Sequence, residues 1–144
     1  NAPNAPQLKI PLSGSGQNNA TTLGEIFWQG IIPDNPNTTS DNPKLMSMKE
    51  ISDVNSDGVN DVIVSTDNYW TLCYNGNSSV TDDILWYFNT RTSNNVSGSV
   101  VYEDGMQITD DINNDGVKDV VVATGGNNEL VYALSGRTGQ LLWK

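Results

Sequence analysis

Asp53-Val54-Asn55-Ser56-Asp57-Gly58-Val59-Asn60-Asp61-Val62-Ile63-Val64-Ser65-Thr66 is the stretch on which the fold turns. It returns 58 residues later as Asp111-Ile112-Asn113-Asn114-Asp115-Gly116-Val117-Lys118-Asp119-Val120-Val121-Val122-Ala123-Thr124. Each copy joins a nine-residue polar bend to a short β-branched run. The runs are bounded by turn residues and favour buried strands. A second feature keeps the same spacing: Ile26-Phe27-Trp28, Ile84-Leu85-Trp86 and Leu141-Leu142-Trp143 place their tryptophans 58 and then 57 residues apart. Two independent features with one period mark an internal repeat.

The rest of the unit follows outward from this stretch. After each β-branched run comes a polar turn, Asp67-Asn68 in one copy and Gly125-Gly126-Asn127-Asn128 in the other. A second strand is predicted over 69–74 or 129–134. A turn at Asn75-Gly76 or Ser135-Gly136 leads into the strand that ends in tryptophan, and Asn-Gly between apolar runs is a strong hairpin signal. A further strand is expected before each bend, over 45–51 and 100–108. No stretch carries a helical period with caps. The fold class is therefore all-β, built from four-stranded antiparallel units with a period of about 58 residues, which is the sequence mark of β-propeller blades. A blade has an apolar face that it cannot cover alone, so neighbours stack. Trp28, Trp86 and Trp143 are expected to fill the gaps between blades, whereas Trp70, outside that register, is the aromatic expected to be exposed.

The chain divides accordingly. Residues 1–22 read as a linker or N-terminal extension, rich in Asn, Ala, Pro, Ser and Gly, with a short strand at 8–12. Residues 23–44 read as the last strand of a preceding blade plus a loop, whose 33–43 part is too polar to pack. Residues 45–90 and 91–144 are two blades, each with one acidic bend. A propeller closes with ~4–8 blades. The expectation is thus a piece of a longer protein, with assembly of several copies and an open stack as the alternatives.

Composition narrows the function. The 144 residues carry 17 acidic and 7 basic side chains, a formal charge of −10, and this argues against nucleic-acid phosphates as partners. Six of those carboxylates sit in the two bends, where like charges repel unless a cation neutralises them. The absence of histidine excludes His-based metal sites and a Ser-His-Asp triad. The one cysteine, Cys73, excludes an intrachain disulfide and reads as a buried, inert thiol within a strand. No apolar run approaches the ~20 residues of a membrane-spanning helix. An extracellular or cell-surface setting is expected, with the periplasm as an alternative; the sequons at Asn19, Asn37, Asn77 and Asn95 add little to it. Asp82-Asp83 and Glu103-Asp104 read as solvated turn charges, and Asp110 as added field beside the second bend.

The bends suit one kind of ion. Ca²⁺ takes six to eight hard oxygen ligands, and it suits this donor set better than Mg²⁺, which keeps a tight octahedron and its waters. In a nine-residue bend, side-chain oxygens at positions 1, 3, 5 and 9 and the backbone carbonyl at position 7 supply such ligands. The predicted sets are Asp53, Asn55, Asp57, Asp61 and the carbonyl of Val59, then Asp111, Asn113, Asp115, Asp119 and the carbonyl of Val117. Gly58 and Gly116 permit the sharp turn. The first half of an EF-hand loop matches, but position 12 is Val64 or Val122 instead of glutamate, and a strand follows instead of a helix. Asn/Asp/Gly turns without an ion are the plain alternative.

Residues 53–64 and 111–122 resemble the FG-GAP repeat of integrin α-subunit propellers, whose calcium loop reads D-x-[DN]-x-[DN]-G-x-x-D before an apolar strand. The Phe-Gly and Gly-Ala-Pro features of that family are not evident. Ala133-Leu134-Ser135-Gly136-Arg137-Thr138-Gly139-Gln140-Leu141-Leu142-Trp143 is similar to the tryptophan-docking motif of quinoprotein dehydrogenase propellers, with Ser135 where Asp is usual. Together the resemblances cover residues 23–144 and imply a seven- or eight-bladed propeller in the complete protein. They imply a calcium-rigidified binding, adhesion or assembly module, with other blades, further copies, or a protein or glycan ligand as partners and no catalytic residues. The alternatives are a propeller enzyme, either a quinoprotein dehydrogenase or a polysaccharide lyase, whose active site lies outside this chain, and a periplasmic scaffold without calcium chemistry. The adjacent cysteine pair common in quinoprotein dehydrogenases is absent.

Overall fold

A computed structural model describes residues 28–38, 43–77, 83–91, 100–125 and 129–144. The strands run β1 Leu45–Ile51, β2 Asp61–Thr66, β3 Trp70–Tyr74, β4 Ile84–Asn89, β5 Met106–Ile108, β6 Val120–Ala123, β7 Val131–Leu134 and β8 Leu141–Trp143, with a 3-10 turn at Glu103–Gly105 before β5. They form two four-stranded antiparallel sheets, ordered β1-β2-β3-β4 and β5-β6-β7-β8. Every strand pairs with its neighbour in sequence, so short turns suffice as connections. The all-β class and the four-stranded unit are thus both present, and the acidic bends are the β1–β2 and β5–β6 connections.

Alternation along the strands gives each sheet two faces. In the first sheet, Ile63, Cys73 and Trp86 sit at paired positions on one face, while Val62, Val64, Leu72 and Tyr74 occupy the other. The second sheet repeats this with Val121, Ala133 and Trp143 on one face and Val120, Val122, Tyr132 and Leu134 on the other. The Trp86 face of the first sheet packs on the Val122 face of the second, and Ile51, Ile63, Cys73 and Trp86 join Met106, Val120, Val122, Tyr132 and Leu134 in one core. Phe88 and Tyr132 meet edge to face across the joint, 5.4 Å between centroids. The Val64 face of the first sheet is covered in turn by Trp28 and Ile32.

One tryptophan joint occurs twice. The Trp28 indole N–H donates to the carbonyl of Asn75 at 2.9 Å, and the Trp86 indole N–H donates to the carbonyl of Gly136 at 2.7 Å. Both acceptors lie in the β3–β4-type hairpin of the following sheet. The packing role expected of Trp28 and Trp86 is therefore visible, with an added polar latch. Cys73 is fully buried between the sheets, where desolvation, and secondarily the Asp61 charge, pushes its thiol well above the ordinary value.

Four expectations need correction. The strand placed over 100–108 is reduced to β5, because the 3-10 turn at Glu103–Gly105 interrupts it and Val100 keeps only a lone bridge to Gly125. The strand expected to end at Trp86 continues to Asn89, paired with Trp70 and Thr71. The 33–43 loop does pack where it is described: Asn35 is 2% exposed, donates to the carbonyl of Asn68 at 2.7 Å and exchanges bonds with Asn89, while Asn68 donates to the carbonyl of Pro33. Polar content is no bar to burial when each amide finds a partner. Trp70 is buried, because the β3 alternation aligns it with Leu72 and Tyr74 under Tyr87, whose ring centroid is 5.0 Å away. Tyr87 is the exposed aromatic there. In addition, Asp83 is not merely solvated; it accepts from the Asn75 side-chain amide at 3.0 Å. The expected linker and its strand at 8–12 lie outside the described residues, as do residues 23–27, Asp82, Asn19 and Asn95.

Candidate metal centres in the two acidic bends

The two bends have the same internal hydrogen bonds, residue for residue. Asp53 accepts from the amides of Asp57 at 3.1 Å and Gly58 at 2.7 Å, and Asp111 accepts from Asp115 and Gly116 at those same distances. The side-chain oxygens of Asn55 and Asn113 reach the amides of Asp57 and Asp115 at 3.1 and 3.0 Å. Asp57 and Asp115 each accept from the amide two residues on, at 2.9 Å. Ser56 and Asn114 take φ of 65° and 59°, and Gly58 and Gly116 take 91° and 87°. The left-handed positions at 56 and 114 suit small polar residues, and those at 58 and 116 suit glycine. Residues at positions 1, 3 and 5 are thereby gathered over a common run of backbone N–H groups.

Position 9 behaves differently. Asp61 and Asp119 are fully buried. Asp61 accepts from the amides of Val54 at 2.7 Å and Gly76 at 2.9 Å; Asp119 accepts from Ile112 at 2.6 Å and Gly136 at 2.9 Å. Each therefore ties the start of its bend to the hairpin that also receives a tryptophan. These partners are invisible in the linear motif, since the hairpin glycines lie 15 and 17 residues away.

Among the described residues, no three His, Cys, Asp or Glu side chains form a ready-made metal group. The donor set nevertheless fits a hard cation. Each carboxylate oxygen has more than one lone-pair direction, and one bond falls on each except Asp115 Oδ2, which accepts two, from the Asn113 amide and the Ser135 hydroxyl. Val59 and Val117 stand at position 7 with partly buried and buried side chains, which leaves their contribution to the backbone carbonyl. Asp53 and Asp57 lie near enough to Asp61 for their charges to reinforce the upward push that burial gives its carboxyl, against the amides of Gly76 and Val54. A bound dication would relieve that repulsion.

The second bend has two partners that the motif did not reveal. Ser135 donates its hydroxyl to Asp115 at 3.0 Å, and Arg137 donates to the Asp115 carbonyl oxygen at 2.9 Å with its Nε 3.7 Å from the carboxylate. The only prior signal was the position of Ser135-Gly136 in the unit, equivalent to Asn75-Gly76.

Acid sensitivity follows. Desolvation pushes the Asp53 carboxyl up, but the amides of Gly58, Asp57, Ser56 and Asn55 outweigh it and hold the group below its ordinary 3.8. Asp115 is also held below 3.8, where the Asn113 amide, the Val117 amide, the Ser135 hydroxyl and Arg137 together outweigh desolvation. A carboxyl with a lowered folded value stabilises the fold above its unfolded value and loses that contribution as pH falls through the folded value. Asp61, raised by burial, has the opposite sign. In calcium-free buffer, the melting temperature of the Asp53→Asn/Asp115→Asn double variant should therefore fall less steeply than that of the parent below about pH 4. Parallel curves would show that these two carboxylates do not set the acid slope.

Comparison with known protein families, curated proteins and solved structures finds no match.

Proposed function

We propose that this chain is a calcium-binding β-propeller repeat module of a secreted or cell-surface protein, with a structural, adhesive or assembly role. Two blades of a seven- or eight-bladed ring account for the two sheets, and each bend takes one Ca²⁺ through Asp53, Asn55, Asp57, Asp61 and the Val59 carbonyl, or Asp111, Asn113, Asp115, Asp119 and the Val117 carbonyl. The observation that carries the reading is the identity of the two bends: the same oxygens, over the same amides, at nearly the same distances, in chain segments that differ at three of nine residues. A plain turn needs only its glycine and one Asx side chain; the preservation of three further oxygen-bearing positions asks for a ligand common to both copies. The ion would supply charge neutralisation and a rigid β1–β2 and β5–β6 connection. Other blades, further copies, or a protein or glycan are the partners in keeping with such a module.

Calorimetric titration should find two calcium ions per chain, and Asp57→Ala and Asp115→Ala should each remove one. Chelator should lower the melting temperature and calcium restore it, by about 2.7 kcal/mol per site at a hundredfold excess over Kd. No heat and no thermal shift at millimolar calcium would refute the reading.

A further inference from the structure

The two bends carry the same set of oxygens, yet the hairpin beside each one treats it differently. Gly76 and Gly136 hold equivalent places, donating to Asp61 and Asp119 at 2.9 Å. Their neighbours diverge. In the first hairpin, Asn75 turns its side-chain amide to Asp83 at 3.0 Å and its side-chain oxygen to the Asn77 amide at 2.8 Å. In the second, Ser135 donates its hydroxyl to Asp115. Arg137, standing where the first hairpin has the neutral Asn77, donates to the Asp115 carbonyl and brings its Nε to 3.7 Å from the carboxylate. A guanidinium nitrogen also lies 3.7 Å from where a Cβ on Gly116 would stand, so the group lies across the bend. Among the described residues the first bend has no ion pair, and Lys44 and Lys49 of its sheet form none with it. Each bend has one further acid beside it: Glu50, bonded to Asn60, in the first and Asp110, next to Asp111, in the second. The carboxylate counts therefore match. The difference is positive charge: Arg137, and Lys118 at position 8, where the first bend has Asn60.

We propose that Arg137 sets the calcium affinity of the second bend: its guanidinium is a built-in counter-charge that makes this site the weaker of the two, so that the first bend fills before the second. The inference rests on the calcium reading and adds an order of filling to it. Loops with one ligand geometry tune their affinity through charge count and rigidity. A dication arriving at Asp115 meets a carboxylate already partly neutralised, and it is repelled by the guanidinium. One unit charge against a dication is about a tenfold effect on Kd at solvent-like dielectric and low salt. The ion pair itself contributes little to folding, because Arg137 is 40% exposed. Its effect on a doubly charged ligand at the same carboxylate is larger, and salt screens it. Ser135 acts in the same direction, since its hydroxyl takes a second position on the Asp115 oxygen that already accepts from Asn113. Lys118 is placed differently: its backbone N–H bonds to Ser52 and its side chain is exposed.

The test reads each bend alone by calorimetric titration with calcium at low ionic strength, the first in an Asp115→Ala chain and the second in an Asp57→Ala chain. The second bend should bind about tenfold more weakly than the first. Adding Arg137→Gln to the Asp57→Ala chain should raise its affinity several-fold, whereas the same change in the Asp115→Ala chain should leave the first bend as it was. Arg137→Lys keeps the charge and should keep the weak binding. Lys118→Asn should raise the affinity clearly less than Arg137→Gln does. The gap between the bends should narrow as salt is raised. Equal affinities in the two single variants overturn the proposal while leaving the calcium reading intact. So does an Arg137→Gln change without effect on the second bend, a gain from Lys118→Asn as large as that from Arg137→Gln, or a gap that salt does not alter. Absence of heat in every chain removes the calcium reading and the proposal with it.

Discussion

Asp61→Ala should destabilise the fold by about 3–5 kcal/mol in the presence of chelator, a loss that calcium cannot account for. The carboxylate is buried and holds the amides of Val54 and Gly76. Hydrogen bonds to a charged group contribute roughly 1.5–3 kcal/mol each, and an amide left buried without a partner costs about 1–3 kcal/mol. Burial raises the carboxyl toward protonation and offsets part of this, so the net falls below the sum. Asp61→Asn keeps the volume but turns an NH₂ toward a backbone N–H, and it should recover little. Asp119→Ala should behave alike through Ile112 and Gly136. Urea unfolding without calcium measures both, and a loss under about 1 kcal/mol would show that position 9 is not a backbone anchor.

The second large effect is expected at Trp86. Its ring fills the joint between the sheets, and its N–H satisfies the carbonyl of the buried Gly136. Trp86→Ala should cost about 3–5 kcal/mol, from lost burial plus a residual cavity. Trp86→Phe should restore most of the packing yet leave the Gly136 carbonyl without its donor, at about 1–3 kcal/mol. Trp143→Ala in the same chain should cost clearly less than Trp86→Ala, because nearly half of Trp143 is already in water. If both tryptophans gave the same loss, the burial difference between the sheets would not reflect the energetics.

What the sequence displayed was periodic. The 58-residue spacing gave the unit, and alternation with turn residues gave β1 at its observed bounds of Leu45–Ile51. Partners set by the third dimension were not displayed. Nothing local marks Gly76 or Gly136 as amide donors to Asp61 and Asp119. Gly136 is required because a Cβ there would overlap the carbonyl of Lys118 and press on Ile51, both far away in sequence. The burial of Asn35 depends on Asn68 and Asn89, which are remote until the sheet forms. In the same way, Trp70 looked exposed because it lies outside the tryptophan period, yet the face it occupies is fixed by β3 and covered by Tyr87. In the bends, by contrast, the short-range Asx and amide contacts follow directly from residue type and spacing, which is why positions 1, 3 and 5 were legible and position 9 was only half so.

The donor of each indole latch lies ahead of the sheet that carries its acceptor, so repeat and joint are out of phase. Excision of residues 29–86, one period, removes the Asn75 acceptor and the Trp86 donor together, and leaves the Trp28 donor ahead of the Gly136 acceptor. Tandem duplication or excision of a whole period thus needs no compensating substitution, and the number of units is decoupled from the chemistry that fastens them.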